Sequence, residues 1–432
     1  MIQRICLTVI VSFVLILKGY PQKIITLSDC YDAAMKKSSL AGEQELHTSI
    51  WQIKDKNLSK NWLPSLYAGA SFIYNSEVVD LGEKFSTVPI PGLADAITPL
   101  PHEQYRITVD ITQTIYDGGA TKAARELENT NRKVNEKQTE TDLYKLRSQV
   151  NNYYFSILML DRQKESFEGF REVIEKRIAS MESALKNEII VPSDIDIMKA
   201  EKIKIEQQLK EIEIKKTALL KILSDLTGIA VEPADQLAVP ELPGETDIEL
   251  MRPELQYFDI RKEQLQAGIK TIATRRMPKA YGFATLGYGN PPGNNFLKDE
   301  FAPYYIIGAG IKWNIFDWSR VKNEKEILTL EQNIIEKRKT DLEENLRRML
   351  EAKKAEILSL ESLLESDREL IELRKKISSA AISRYENGVI TAAEMLGELN
   401  AERQAAVTYE LHKVSLAMAK AEYFNISGQE IK

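Results

Sequence analysis

The sequence predicts an α+β membrane protein. Each chain gives four β-strands to a barrel shared with neighbouring chains, and each strand pair leads into long paired helices. Three observations carry this fold class. Four segments alternate apolar and polar residues, the longer two over roughly the length of a bilayer crossing. From the strand ends onward the second half of the chain repeats the first at an offset of 200 residues, and the stretches after the strands run for tens of residues without proline.

The 432 residues are 28% charged and carry a net charge of −6. Mean hydropathy is −0.30, which excludes a polytopic helical membrane protein and suits solvated helices. The N-terminus has the outline of a signal peptide. Arg4 is followed by an apolar run from Ile5 to Leu17 and a break at Lys18-Gly19-Tyr20-Pro21, which places cleavage near residue 22. A retained membrane anchor is the alternative. Without residues 1–22 the net charge is −8, and an acidic chain is ill suited to sequence-independent nucleic-acid binding. Cys6 lies inside the apolar run and Cys30 well beyond it. Neither occupies a lipidation position, and cleavage leaves Cys30 without a partner for an intrachain disulfide.

The duplication sets the domain plan. Ile115-Tyr116-Asp117-Gly118-Gly119 matches Ile315-Phe316-Asp317-Trp318-Ser319, Lys186-Asn187-Glu188 matches Glu386-Asn387-Gly388, and Leu226-Thr227-Gly228 matches Ile426-Ser427-Gly428. Helices that must end at one height would explain equal spacing without an insertion or deletion. Upstream, Leu63-Pro64-Ser65 matches Met277-Pro278-Lys279 at an offset of 214. The first copy therefore holds a longer loop within residues 75–104, rich in Pro, Gly and acids. The expected plan is a signal peptide over 1–22 and repeat 1 over 23–229, with a β-hairpin at about 65–116 and a helical hairpin at about 118–228. A Pro-rich linker covers 230–250. Repeat 2 covers 251–432, with a β-hairpin at about 280–316 and a helical hairpin at about 318–428. A short helix opens each copy, from about Ser28 to Asn61, with Ser28 or Asp29 as N-cap, and from Arg252 to about Arg276.

The strands follow from period two. Tyr105, Ile107, Val109, Ile111 and Ile115 share one face, with Gln113 the exception, and Arg106, Thr108, Asp110, Thr112 and Thr114 share the other. In the second copy Tyr305, Ile307, Ala309, Ile311, Trp313 and Ile315 alternate with Gly308, Gly310, Lys312 and Asn314. Residues 66–74 and 281–289 supply shorter partners, and aromatics cluster near the strand ends as at membrane interfaces. A soluble antiparallel sheet packed on helices would show the same alternation. Within lipid, four strands with open edges are not tolerated, so a membrane location requires several chains to share one barrel.

The helices follow from length and seam. Residues 118–186 hold no proline and, past Gly119, one glycine, Gly169. At ~1.5 Å per residue such a helix extends about 100 Å. Leu143, Leu146, Val150, Tyr153, Ile157 and Leu160 step by three and four, then Phe167, Ile174 and Met181 by seven, which is coiled-coil spacing. The connecting turns are short, at 187–193 and 387–391, so each pair is a hairpin with its tip remote from the strands. An ordinary soluble coiled coil would show the same seam.

No catalytic chemistry is legible. His47, His102 and His412 are isolated, and no phosphate loop, nucleophile elbow or metal-ligand spacing is present, so neither an enzyme nor a cofactor is expected.

The Tyr116-Asp117-Gly118-Gly119 end of a strand before a long helix, the Tyr385-Glu386-Asn387-Gly388-Val389 turn, the Arg252-Pro253-Glu254-Leu255 opening and the duplicated plan resemble the TolC-like outer-membrane efflux family. The resemblance implies a homotrimer with a 12-stranded barrel, four strands per chain, above a helical coiled-coil barrel in the periplasm, with the linker equatorial. It implies a passive exit duct in outer-membrane lipid, for efflux or type I secretion, with a periplasmic adaptor protein and an inner-membrane transporter as partners. A periplasmic adaptor with coiled-coil hairpins is the alternative. The family's periplasmic gate maps onto Tyr385, the Ser193-Asp194 pair and Glu394, the last as an acidic ring. Ile390 stands in place of an arginine and Gly397 in place of a second ring aspartate. From the residues alone, Ser193 and Asp194 also sit where helix N-caps sit, and Glu394 is an ordinary solvated position.

Overall fold

The computed structural model describes residues 23–79, 101–186, 190–232, 235–242, 249–295 and 298–431. The expected signal peptide, much of the longer loop, residues 187–189 of the first tip turn and part of the linker lie outside the described residues.

The chain divides into two compact units. One, residues 44–137 and 256–339, holds the main sheet. Its strands are β2 (Ser65–Tyr74), β3 (Glu103–Tyr116), β5 (Lys279–Asn290) and β6 (Ala302–Lys312). A two-residue strand, β1 (Ile24–Ile25), precedes them, and another, β4 (Gln236–Leu237), lies between the repeats. The main sheet runs β2-β3-β5-β6, antiparallel throughout. Each repeat supplies one hairpin, and β3 pairs with β5 to join them. β2 and β6 are edges among the described residues. Pro303 lies in β6, where an edge strand tolerates the missing donor.

The other unit comprises residues up to 43, 138–255 and 340–432. Here β1 pairs in parallel with β4, tying the start of repeat 1 to the linker. Helix α1 (Leu27–Lys37) packs its Leu27, Cys30, Tyr31 and Ala34 into a core with Val150, Tyr154, Phe155 and Leu158. Tyr154 Oη lies 2.6 Å from the Ala238 carbonyl and 2.9 Å from that of Ile25. The phenol thus satisfies linker backbone while its ring fills the core. Burial first, then the charge of Asp29, pushes the Cys30 thiol up to about 12. A thiol so held is an inert core side chain.

Four sequence expectations shift. The N-cap of α1 is Thr26, not Ser28 or Asp29. Thr26 Oγ1 accepts from the Asp29 amide at 3.1 Å and Asp29 returns a bond to the Thr26 amide, a capping box. The first short helix is not continuous to Asn61. It stops at Ser38, passes through a 3₁₀ turn and restarts as α2 (Glu43–Ser59). The Ser38-Ser39 pair and Gly42 disfavour helix there.

The first long helix also breaks, into α3 (Ala120–Tyr144) and α4 (Leu146–Lys186). No helix breaker marks the site. The break coincides with a tertiary anchor, in which Tyr144 Oη donates to the Asn425 carbonyl at 2.8 Å and the Arg147 and Arg252 guanidinium groups cover its ring. Finally, β6 ends at Lys312, so Trp313 to Phe316 extend beyond the ladder. Repeat 1 has no such gap, because β3 pairs through Tyr116 with Ala280.

The remaining helices are α5 (Pro192–Thr227), α6 (Pro253–Ala273), α7 (Arg320–Glu386) and α8 (Ala392–Ser427). α5 and α8 are both 36 residues long and end on the left-handed Gly228 and Gly428, whose amides donate to Ser224 and Phe424. The two return helices are thus of equal length.

Candidate functional site

Three regions concern function: the sheet surface, the strand–helix junction and the helical tips.

The sheet separates its side chains by polarity. In register, Leu66, Ile111, Ala284 and Ile307 form one row, and Ala68, Val109, Leu286 and Tyr305 the next on the same face. The opposite face carries Tyr67, Asp110, Thr285 and Ile306 in one row and Gly69, Thr108, Gly287 and Tyr304 in another. Asp110 accepts from Thr108 Oγ1 at 3.0 Å and Thr285 Oγ1 at 2.6 Å. On this polar face the rings of Tyr304, Phe283 and Tyr281 lie over the directly opposed Gly287, Gly308 and Gly310, where a Cβ would collide with each ring. Those aromatics therefore lie flat along the sheet.

The apolar face is not covered. Ile107 is 63% exposed, Ile307 75% and Ile311 77%. A soluble sheet packed on its own helices would bury these side chains. Among the described residues an exposed apolar face and two unpaired edges coincide, the combination that otherwise marks an aggregation site.

At the junction the two repeats use one device. Asp117 Oδ1 accepts from the Gly119 amide at 2.8 Å and Oδ2 from the Thr121 amide at 2.6 Å, which starts α3. Asp317 Oδ2 accepts from the Val321 amide at 3.1 Å and starts α7. Burial favours the neutral Asp117 carboxyl, but the Thr121 hydroxyl and the Thr121 and Gly119 amides outweigh it and hold the group below the ordinary value. Between strand and helix the backbone turns left-handed, at Gly118 and Gly119 in repeat 1 and at Trp318 and Ser319 in repeat 2. Gly118 is also tight against Met277, where a Cβ would lie 2.5 Å from Met277 Cβ.

Trp318 accepts a conformation that disfavours side chains, with its ring exposed and edge-on to Phe316. A second matched pair explains why Gln113 interrupts the apolar alternation. Gln113 Nε2 donates to the Trp62 carbonyl at 3.2 Å, and Trp313 Nε1 donates to the Arg276 carbonyl at 2.9 Å. Gln113 ties its 3₁₀ turn to β3, and Trp313 ties the other to the segment just past β6.

At the tips the structure brings together part of the expected set. Asp194, Tyr385 and Ile390 line one cleft of about 470 Å³ with Arg177, Glu386 and Thr391. Arg177 bonds Glu386 at 2.9 Å. The Tyr385 hydroxyl is buried and has no hydrogen-bond partner among the described residues. Burial first, then the charge of Asp194, pushes its phenol up. Ile390 packs on the tip core of Ile174, Met181, Ile195, Met198 and Met395, so an apolar contact stands where the family resemblance anticipates a charge.

Ser193, Glu394 and Gly397 do not line this cleft. The N-cap of α5 is Val191, with Pro192 following and no side-chain cap, so neither Ser193 nor Asp194 caps the helix. Glu394 instead completes a capping box. Its Oε2 accepts from the Thr391 amide at 2.8 Å and from Thr391 Oγ1 at 3.0 Å, while its own amide donates to Thr391 Oγ1 at 3.2 Å. Those bonds, the amide first, hold the Glu394 carboxyl below the ordinary glutamate value. The Thr391-Ala392-Ala393-Glu394 pattern was readable in the sequence as Ser/Thr-x-x-Glu. Gly397 stands open, with nothing within 4 Å of where its Cβ would be.

Among the described residues no group of three or more metal-ligating side chains occurs, and no helix is long and apolar enough to cross a membrane. No protein-family model and no curated protein sequence matches the chain. Solved structures do. The chain is similar to CusC, a transmembrane channel, at TM-score 0.69 and 13% identity, covering 95% of this chain and 94% of that one. It is similar to the CmeC outer-membrane channel of Campylobacter jejuni at TM-score 0.62 and 16% identity, covering 93% and 85%. It is similar to the outer-membrane protein VceC of Vibrio cholerae at TM-score 0.64 and 14% identity, covering 94% and 97%. The sheet with its two long helical hairpins is thus the TolC-like fold of solved outer-membrane channels.

Proposed function

We propose that this chain is one protomer of a homotrimeric outer-membrane exit duct, extending into the periplasm. One observation carries the reading. Among the described residues a four-stranded sheet leaves its apolar face bare and both edges unpaired, and three copies joined edge to edge would close a 12-stranded barrel with lipid outside and the Asp110–Thr285 face inside. The helical hairpins would continue the conduit as a coiled-coil barrel. The duct is passive, without enzymatic activity or cofactor, and serves efflux or type I secretion with a periplasmic adaptor protein and an inner-membrane transporter. In the domain plan, repeat 1 spans 23–229 and repeat 2 spans 251–432 of the sequence, around an equatorial linker at 230–250 and after a cleaved segment at 1–22. Membrane fractionation tests this. Heat-sensitive trimers are expected in the outer-membrane fraction, and recovery as a periplasmic monomer would overturn the proposal.

The periplasmic gate lies at the tips. Tyr385 and Asp194 share the tip cleft, and Glu394 presents an exposed carboxylate three residues before the bare Gly397. Three copies of Glu394 around an axis would attract cations, while Ile390 and Gly397 leave the lock without its usual charges. Ser193 in the first turn of α5 is free of a capping role and open to contacts between copies. Glu394→Gln is the informative variant, because glutamine preserves the capping box and removes the charge. Weaker block of single-channel current by divalent cations is expected. Unchanged block would remove Glu394 from the gate.

A further inference from the structure

A cavity of about 650 Å³ opens where the sheet meets the helices, lined on its sheet side by Ser65, Thr114, Tyr281, Lys279 and Lys312. All five belong to the polar face of the sheet by register. The helical side adds Lys60 and Arg275, from the two matching 3₁₀ turns that precede the hairpins. The charges do not balance. Arg275 is paired with Glu324. Asp117, the one carboxylate among the described residues lining the cavity, is committed to the amides that start α3. Lys60, Lys279 and Lys312 make no ion pair or hydrogen bond through their ammonium groups among the described residues.

Lys279 and Lys312 are moreover directly opposed in the antiparallel ladder. Like charges facing each other across a ladder destabilise it, and neither lysine forms an ion pair among the described residues that would offset the repulsion. A chain with 64 acidic residues has ample means to neutralise a lysine, as its lysine–carboxylate pairs elsewhere show. Three uncompensated cations lining one cavity point to a partner of the opposite sign.

We propose that Lys60, Lys279 and Lys312 form an anion-binding collar at the strand–helix junction that holds carboxylate- or phosphate-bearing solutes passing through the duct. The inference rests on the duct reading, which places this face toward the lumen. In the trimer the collar carries nine ammonium groups around the neck where the barrel joins the helical conduit. Fixed rings of one sign select permeating ions by charge.

The test uses the purified full-length trimer in planar bilayers, with a KCl gradient and with inorganic pyrophosphate as the probe. The double variant Lys279→Gln, Lys312→Gln should lower the chloride-to-potassium permeability ratio by about threefold or more and abolish pyrophosphate block of the wild-type current. Neutralisation removes a cross-strand repulsion, so the variant trimer should form at least as readily as wild type. Normal conductance with an unchanged permeability ratio and unchanged pyrophosphate block would overturn the collar and leave the duct standing. Failure of the wild-type chain to form trimers that insert into lipid would overturn both.

Discussion

Arginine placed at Ile307 and at Ile306 should have opposite consequences, although the two residues are neighbours in the chain. Ile307 sits in the apolar row with Leu66, Ile111 and Ala284, and Ile306 sits in the polar row with Tyr67, Asp110 and Thr285. The depth of Ile307 follows from the strand. It stands five residues above Lys312, the last residue of β6, which at ~3.3 Å per residue is about 17 Å along the strand. A tilt of ~40° leaves about 13 Å along the membrane normal, near the middle of an apolar band ~25 Å tall. There a lipid-facing arginine costs about 2–4 kcal/mol per protomer, roughly a 30- to 1,000-fold loss in the folded-to-unfolded ratio.

Arginine at Ile306 would instead reach a water-filled interior, with the Asp110 carboxylate in its own row. Heat-sensitive trimer yield, followed by urea unfolding in lipid vesicles, reads the difference. Ile307→Arg is expected to lose most of its trimer and Ile306→Arg to retain it. Were the sheet in water, both sites would tolerate arginine, since both are already solvent-exposed in the protomer. Equal behaviour of the two variants would therefore refute the assignment of faces.

Three further outcomes concern the junction and the tips. Gly118→Ala should lower stability by about 1–3 kcal/mol, because a Cβ meets Met277 in a left-handed turn. Ser319→Gly should raise it by about 1 kcal/mol by removing the same left-handed penalty in repeat 2; thermal dissociation of the trimer measures both. Thr391→Ala should cost about 1 kcal/mol through loss of the α8 cap, whereas Ser193→Ala should stay within about 0.5 kcal/mol, since α5 has no side-chain cap; hydrogen exchange of the first-turn amides separates the two.

The third concerns acid. The Asp117 carboxyl is held below its ordinary value near 3.8. Its contribution is therefore present above that value and is lost as pH falls through the lower, folded value. Asp117→Asn should flatten the acid limb of trimer stability below about pH 4, and an unchanged limb would show that Asp117 does not contribute to it.

The sequence by itself determined what depends on period and spacing. The alternation of Tyr105 to Ile115 named the strand and both its faces, and the 200-residue offset named two equivalent hairpins with return helices of one length. Both signals are local or repetitive, so neither needs knowledge of what packs on what. The capping box at Thr391 was also legible, because its partners lie three residues apart. Only the tertiary structure decided the rest. The break at Lys145 has no local breaker and coincides with Tyr144 reaching Asn425, 281 residues away. The polar Gln113 made sense once its amide was seen to close the Trp62 turn. The opposition of Lys279 and Lys312 depends on strand register. Two lysines 33 residues apart become a single charged feature only when the hairpin between them forms, because charge acts through space and sequence spacing does not measure it.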